Sequence, residues 1–146
     1  MLRGKPAGDL HIIGKGEKTY TKIKFKPDNQ IFESTRFEYD ILLTRLREQA
    51  FLNAGLKITF CDNRTDSNKQ TETLHYEGGL VSFVDYIHKK RGLDCVHPDI
   101  IYFKKTYDDK SVEVALQYNT SYNELVLSFA NNIHTAEGGV HEAGFK

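Results

Sequence analysis

The sequence predicts an α+β fold with a mixed, mainly antiparallel sheet and two main helices. Short stretches alternate apolar and polar residues with a period of two, the mark of half-buried strands. Two longer stretches carry apolar residues at helical spacing. Short polar or glycine-containing turns separate the strands, so the strands pair locally, with helices inserted between the pairs.

Residues 1–9 hold two Gly and one Pro and form an irregular lead-in. An apolar run at 10–14 (LHIIG) and the stretch TYTKIKFKP suggest an antiparallel strand pair. In the second, Thr21, Ile23 and Phe25 share one face and Lys22, Lys24 and Lys26 the other; Pro27 ends it. In STRFEYDILLTRLREQAFLNAG, Thr35 and Glu38 fit a capping box. Leu42, Leu46 and Ala50, with Leu43 and Phe51, recur at helical spacing, and Asn53-Ala54-Gly55 supplies the stop. LKITFCD and TETLHYEGG form a hairpin across 56–76, joined by the polar turn NRTDSNKQ. Leu80, Phe83, Val84 and Ile87 sit at i, i+3, i+4 and i+7, predicting a second helix that stops near Gly92. After a loop at 93–99, strands are expected at 100–105, 112–119 and 125–131, with turns at Asp108-Asp109-Lys110 and 120–123. The order is ββ-α-ββ-α-βββ, with a helix starting near the end and a candidate domain boundary at 29–35.

The composition excludes several classes. Twenty basic residues balance twenty acidic ones across 146 residues, so no global positive field drives DNA binding. Cys61 and Cys95 make neither a CxxC pair nor a disulfide framework, which suits a reducing, cytoplasmic setting. No apolar run approaches the ~18 residues of a membrane span, and MLRGKPAGDL lacks the apolar stretch of a signal peptide.

No catalytic or metal-ligating set emerges from spacing. His141-Glu142 would need a second His where Phe145 stands to make H-E-x-x-H, so it reads as the first turn of a helix, where Glu142 suits the dipole. Gly78-Gly79 and Gly138-Gly139 lack phosphate-loop spacing and read as turns. Arg45 and Arg47 do not share a helix face. The six His residues are scattered, and His97-Pro98 is a loop feature. The cluster Lys89-Lys90-Arg91 lies at a helix end, where cations are favoured anyway; a DNA contact there is the minority reading.

The strings themselves carry more. TKIKFKPDNQIFESTRFEYDILLTRLREQAFLNAGLKITFCD, HYEGGLVSFVDYI, HPDIIYF and VEVALQYNTSYNELVLSFANNIHTAEGGVHEAGFK closely resemble the B subunit of bacterial DNA gyrase, in that family's order, over nearly the whole chain. The paralogous topoisomerase IV B subunit shares most of them; HYEGG and the helix after it favour gyrase. The resemblance implies the C-terminal strands of a GHKL-type ATPase domain at 1–34 (the type shared with Hsp90 and MutL), incomplete. A transducer domain, truncated at its C-terminal end, follows at 35–146, with a left-handed β-α-β crossover that is an exception to the usual hand.

It further implies that Tyr20-Thr21 stands where the family has Gly-Thr, whose Thr holds adenine through its hydroxyl and an ordered water. Thr21 is thus the nucleotide-site candidate, and Tyr20 adds bulk beside the pocket. Gly138-Gly139-Val140-His141-Glu142 stands where the family has GGTHE, so Val140 replaces a hydroxyl. The family's catalytic Glu and Mg-binding Asn would precede residue 1, its Gln-Thr-Lys loop would follow Lys146, and its DNA-cleaving Tyr is on the A subunit.

The expectation is therefore a fragment of the B subunit of an ATP-dependent type II topoisomerase, inactive alone. It would use ATP and Mg2+ only in the full-length protein and bind neither tightly by itself. Its partners would be the gyrase A subunit, DNA and a second copy of the B subunit at the gate, with no membrane. The alternative is a free-standing, non-enzymatic adaptor or inhibitor resembling a gyrase transducer.

Overall fold

The computed structural model describes residues 4–64 and 70–146. The chain divides into two units, Met1–Tyr39 and Asp40–Lys146.

In the first unit neither expected strand forms: the described residues between 10 and 26 are extended or irregular. Ile12 is 93% exposed and Ile23 80%. Alternation makes a strand only where a neighbouring strand and a core receive it, and a lone hairpin is marginal in water. What order exists is local. The Asp28 carboxylate accepts from Gln30 N at 2.9 Å, and its carbonyl accepts from Phe32 N at 3.0 Å. Phe25 and Phe37 meet edge to face at 5.5 Å.

Helix α1 spans Tyr39–Leu52. It starts too late for Thr35 to cap it: residues 35–38 lie outside the helix, and Phe37 is engaged with Phe25 instead. Asp40 supplies the acidic first turn. The end falls where the sequence places it. The Asn53 side-chain amide donates to Gln49 O at 2.8 Å, Leu56 N donates to Asn53 O at 2.9 Å, and Gly55 takes φ 81°.

Strands β1 (Lys57–Cys61) and β2 (Thr71–His75) form the expected hairpin, with Ile58 opposite Leu74. Gly55 N bonds Tyr76 O and Asp62 N bonds Gln70 O, extending the ladder at both ends. Asp62, 8% exposed, is neutralised by Arg64 at 2.6 Å. Part of the polar turn at 63–70 lies outside the described residues.

Helix α2 spans Gly79–Arg91. Gly92 ends it at φ 61°, and Leu93 N bonds back to His88 O at 3.1 Å; a left-handed residue here is cheapest as Gly. Strands β3 (Ile101–Tyr107) and β4 (Lys110–Leu116) pair along their whole length around Asp108, at φ 51°. The strand expected at 125–131 shrinks to β5 (Phe129–Ala130), which turns through Asn131 and Asn132 to an unanticipated β6 (Ile133–His134). Both Asn residues have positive φ, 49° and 65°, the geometry of a tight two-residue hairpin. Helix α3 (Val140–Phe145) is the helix start expected at His141-Glu142.

The observed order is thus α-ββ-α-ββ-ββ-α. The α+β class and antiparallel pairing hold, as three separate two-stranded sheets. The described strands pair only antiparallel. Among the described residues the buried apolar side chains are Leu43, Ala50, Phe51, Leu74 and Phe83, all from α1, β2 and α2. Among the described residues no helix is long and apolar enough to cross a membrane.

Candidate functional site

The elements of the second unit are joined by two kinds of coupling, one aromatic and one polar. Phe51, the last aromatic of α1, is 1% exposed. Its ring stacks on Tyr76 just past β2 (3.7 Å) and on Phe83 of α2 (4.8 Å), and lies 5.4 Å from Tyr86. Phe83 in turn approaches Phe129 of β5 at 6.4 Å. Helical spacing puts Phe83 and Tyr86 on neighbouring turns of α2, so one helix reads both α1 and the β5–β6 hairpin. Flat rings in contact resist sliding, and each such pair adds about 0.5–1.5 kcal/mol beyond burial.

The polar coupling runs through the tip of that hairpin. The Gln49 side-chain amide donates to Asn132 O at 2.6 Å, and the Asn132 amide donates to Asn53 Oδ1 at 3.0 Å. The left-handed backbone at Asn132 turns its carbonyl and side chain toward the end of α1. From the other end of the hairpin, Ser128 Oγ donates to Glu142 Oε2 of α3 at 2.6 Å, and Thr135 Oγ1 bonds Ser128 O at 2.9 Å. Lys146 Nζ lies 3.1 Å from Glu142 Oε1. Ser128 and Lys146 hold the Glu142 carboxyl below the usual carboxylate range, and Glu142 holds the Lys146 ammonium above its usual value.

A third cluster escapes sequence reasoning. Gln117 donates its amide to His97 O (2.9 Å) and Pro98 O (3.3 Å), so its oxygen faces His88 Nδ1 at 2.8 Å. His88 must then donate from Nδ1, and Cys95 Sγ lies 3.2 Å from that same nitrogen. This ties α2 to the loop after it and to the residue following β4. Residues 29 apart in sequence give no spacing signal, although His88 breaks the polar end of α2 by being buried.

Of the residues singled out by sequence, Thr21 is exposed in the first unit. His141 Nε2 lies 3.3 Å from Thr135 Oγ1, and Glu142 is committed to Ser128 and Lys146. Gly138 takes φ 74° in the turn before α3. Among the described residues no group of three or more His, Cys, Asp or Glu could hold a metal ion.

A family described as DNA gyrase B matches residues 79–146, from the first residue of α2 to the last of the chain. Along 145 residues, 99% of the chain, it is 53% identical to the DNA gyrase B protein of Clostridium acetobutylicum, of which it covers 22%, and 48% identical to that of Bacillus mycoides, of which it covers 35%. The chain is similar to DNA gyrase B proteins along almost its whole length. Solved gyrase B structures agree with the fold. The gyrase B protein from Myxococcus xanthus superposes with a TM-score of 0.72 at 30% identity, covering 82% of this chain and 33% of that one. The 43K ATPase domain of Thermus thermophilus gyrase B, in complex with an aminocoumarin, gives 0.70 at 35% identity, covering 84% and 32%. The chain thus spans about a fifth to a third of the gyrase B relatives and structures named here.

Proposed function

We propose that this chain serves as the relay segment of the B subunit of an ATP-dependent type II DNA topoisomerase, passing the state of a nucleotide pocket to the DNA gate. Residues 1–34 are assigned to the end of the ATP-binding domain and 35–146 to the transducer. Thr21 is the one residue assigned to the nucleotide, through its hydroxyl. ATP with Mg2+, the gyrase A subunit, DNA and a second copy of the B subunit are the partners this reading requires, all acting in the complete enzyme.

The observation that carries it is 53% identity to a gyrase B protein along 99% of the chain. The geometry supports it. A relay needs rigid pieces with few, specific joints, so that a shift at one end is transmitted and not absorbed. Here α1, α2, the β5–β6 hairpin and α3 meet through ring stacks and through single side chains, Asn132 and Ser128.

The test is a complete gyrase carrying this segment with Asn132→Ala. Loosening the joint between α1 and the hairpin leaves nucleotide binding intact and lowers supercoiling per ATP hydrolysed, by about fivefold if the joint is worth ~1 kcal/mol. Equal supercoiling per ATP in variant and parent would remove the relay from this hairpin.

A further inference from the structure

Two helices aim cations at one ring. Arg47 of α1 places its guanidinium carbon 5.4 Å from the centre of the Tyr86 ring and bonds its hydroxyl at 3.3 Å. Lys90 of α2 places its ammonium 5.8 Å from the same centre. Tyr86 is itself seated against Phe51, so the ring is a fixed platform. Nearby charges are already paired: Lys89 with Asp85 at 2.6 Å, and Arg45 with Glu48 at 2.9 Å. Arg47, Lys90 and the adjacent Arg91 have no carboxylate partner among the described residues. The dipole of α2 accounts for cations at its own last turn. It does not account for a guanidinium brought from α1 to the same ring.

We propose that this cation–aromatic cluster is a contact for the phosphate backbone of duplex DNA. The proposal rests on the reading of the chain as part of a DNA topoisomerase and adds where its surface touches the duplex. Tyr86 and Lys90 border a shallow, open depression lined also by Phe51, Tyr76, Ser82, Lys89 and the Asp85 carboxylate that Lys89 pairs; Arg47 flanks it across the Tyr86 ring. An open site with so few donors gives a single phosphate little to hold. A polyanion gains more, because each neutralised phosphate releases condensed counterions. The chain has no net charge, so the contact is local and positions a duplex without reading its sequence.

The experiment is a fluorescence-anisotropy titration of a short labelled duplex with the full chain across a series of salt concentrations. The double variant Arg47→Gln/Lys90→Gln is compared with the parent and with Lys105→Gln on β3. The double variant weakens binding by about three- to tenfold at low salt and makes the slope of log K against log salt shallower by about 2, while Lys105→Gln changes neither. Arg47→Gln also removes the bond to Tyr86, so Lys90→Gln with Arg91→Gln is run alongside; it leaves that bond in place and still flattens the slope. Unchanged slopes, or a parent chain that binds no duplex, overturn the contact. So does displacement of the duplex by millimolar inorganic phosphate or ATP, which assigns the cluster to small anions. None of these results bears on supercoiling per ATP, so the contact and the relay fail separately.

Discussion

Phe51 is where most of the second unit's packing converges. It closes α1, receives Tyr76 and Phe83 on its ring, and supports Tyr86. Only five apolar side chains of the described residues are buried, so this ring makes up much of the core. Phe51→Ala is expected to cost about 3–5 kcal/mol, from lost burial plus an unfilled cavity. Against a typical domain stability of about 5–15 kcal/mol, that leaves a chain with a broad, low-temperature melt. Thermal unfolding followed by circular dichroism checks it; a melt within a few degrees of the parent would mean the stack is ornamental. At this scale the sequence is informative for core positions and silent on pairing. Phe51 and Phe83 stand out at helical spacing, whereas nothing local announces that Gln117 turns its oxygen to His88, because that bond depends on a loop bringing β4 beside α2.

The elements divide by whether their signals are self-contained. Helix α2 carries its own stop in Gly92, and β1–β2 and β3–β4 are each pairs of strand-forming runs split by a polar connection, so all are legible. The N-terminus of α1 is not: a capping box states a preference of about 1 kcal/mol, and the Phe25–Phe37 contact at the same place competes with it. The β5–β6 hairpin hides in the sequence because its turn is Asn131-Asn132, without the glycine that usually flags such turns. Helix α3, six residues long, is too short to persist alone and depends on Glu142. Its carboxyl titrates below the ordinary value of 4.5, so its stabilising contribution is present above that value and lost as pH falls through the lowered one. Lys146 titrates above its ordinary 10.5, so its contribution is present below that value and lost as pH rises through the raised one. Amide protection in residues 140–146, the exchange rate relative to that of an unfolded chain at the same pH, is therefore expected to be highest between the two and to fall at either extreme. Glu142→Gln should abolish the acid-side change; protection that still falls on acidification in that variant would assign the effect elsewhere.

The molecule as a whole spans 22% of a gyrase B relative to which it is 53% identical. A nucleotide site assigned through Thr21 alone supplies one hydroxyl, and hydrolysis needs a base and a held metal as well. The isolated chain is expected to release no phosphate from ATP above background, with Thr21→Ala indistinguishable from the parent. Turnover that the substitution abolishes would contradict this. The first unit shows why patterning alone overstates its strands. Thr21, Ile23 and Phe25 do share a face, yet among the described residues no strand stands beside them, and alternation states only which side would be buried.

The hairpin of β3 and β4 bears a related consequence. Among the described residues each of its strands has a single neighbour, and Phe103 and Val112 remain about half open to water. Unclaimed backbone donors and acceptors beside bare hydrocarbon invite a like strand to add on. Lys104 is paired with Glu113 at 3.5 Å, but Lys105 and Lys110 also lie along that margin, and their positive charge is a barrier to stacking that dissolved salt would lower. Solutions of the chain should accordingly cloud first in concentrated salt, with this ribbon as the seam.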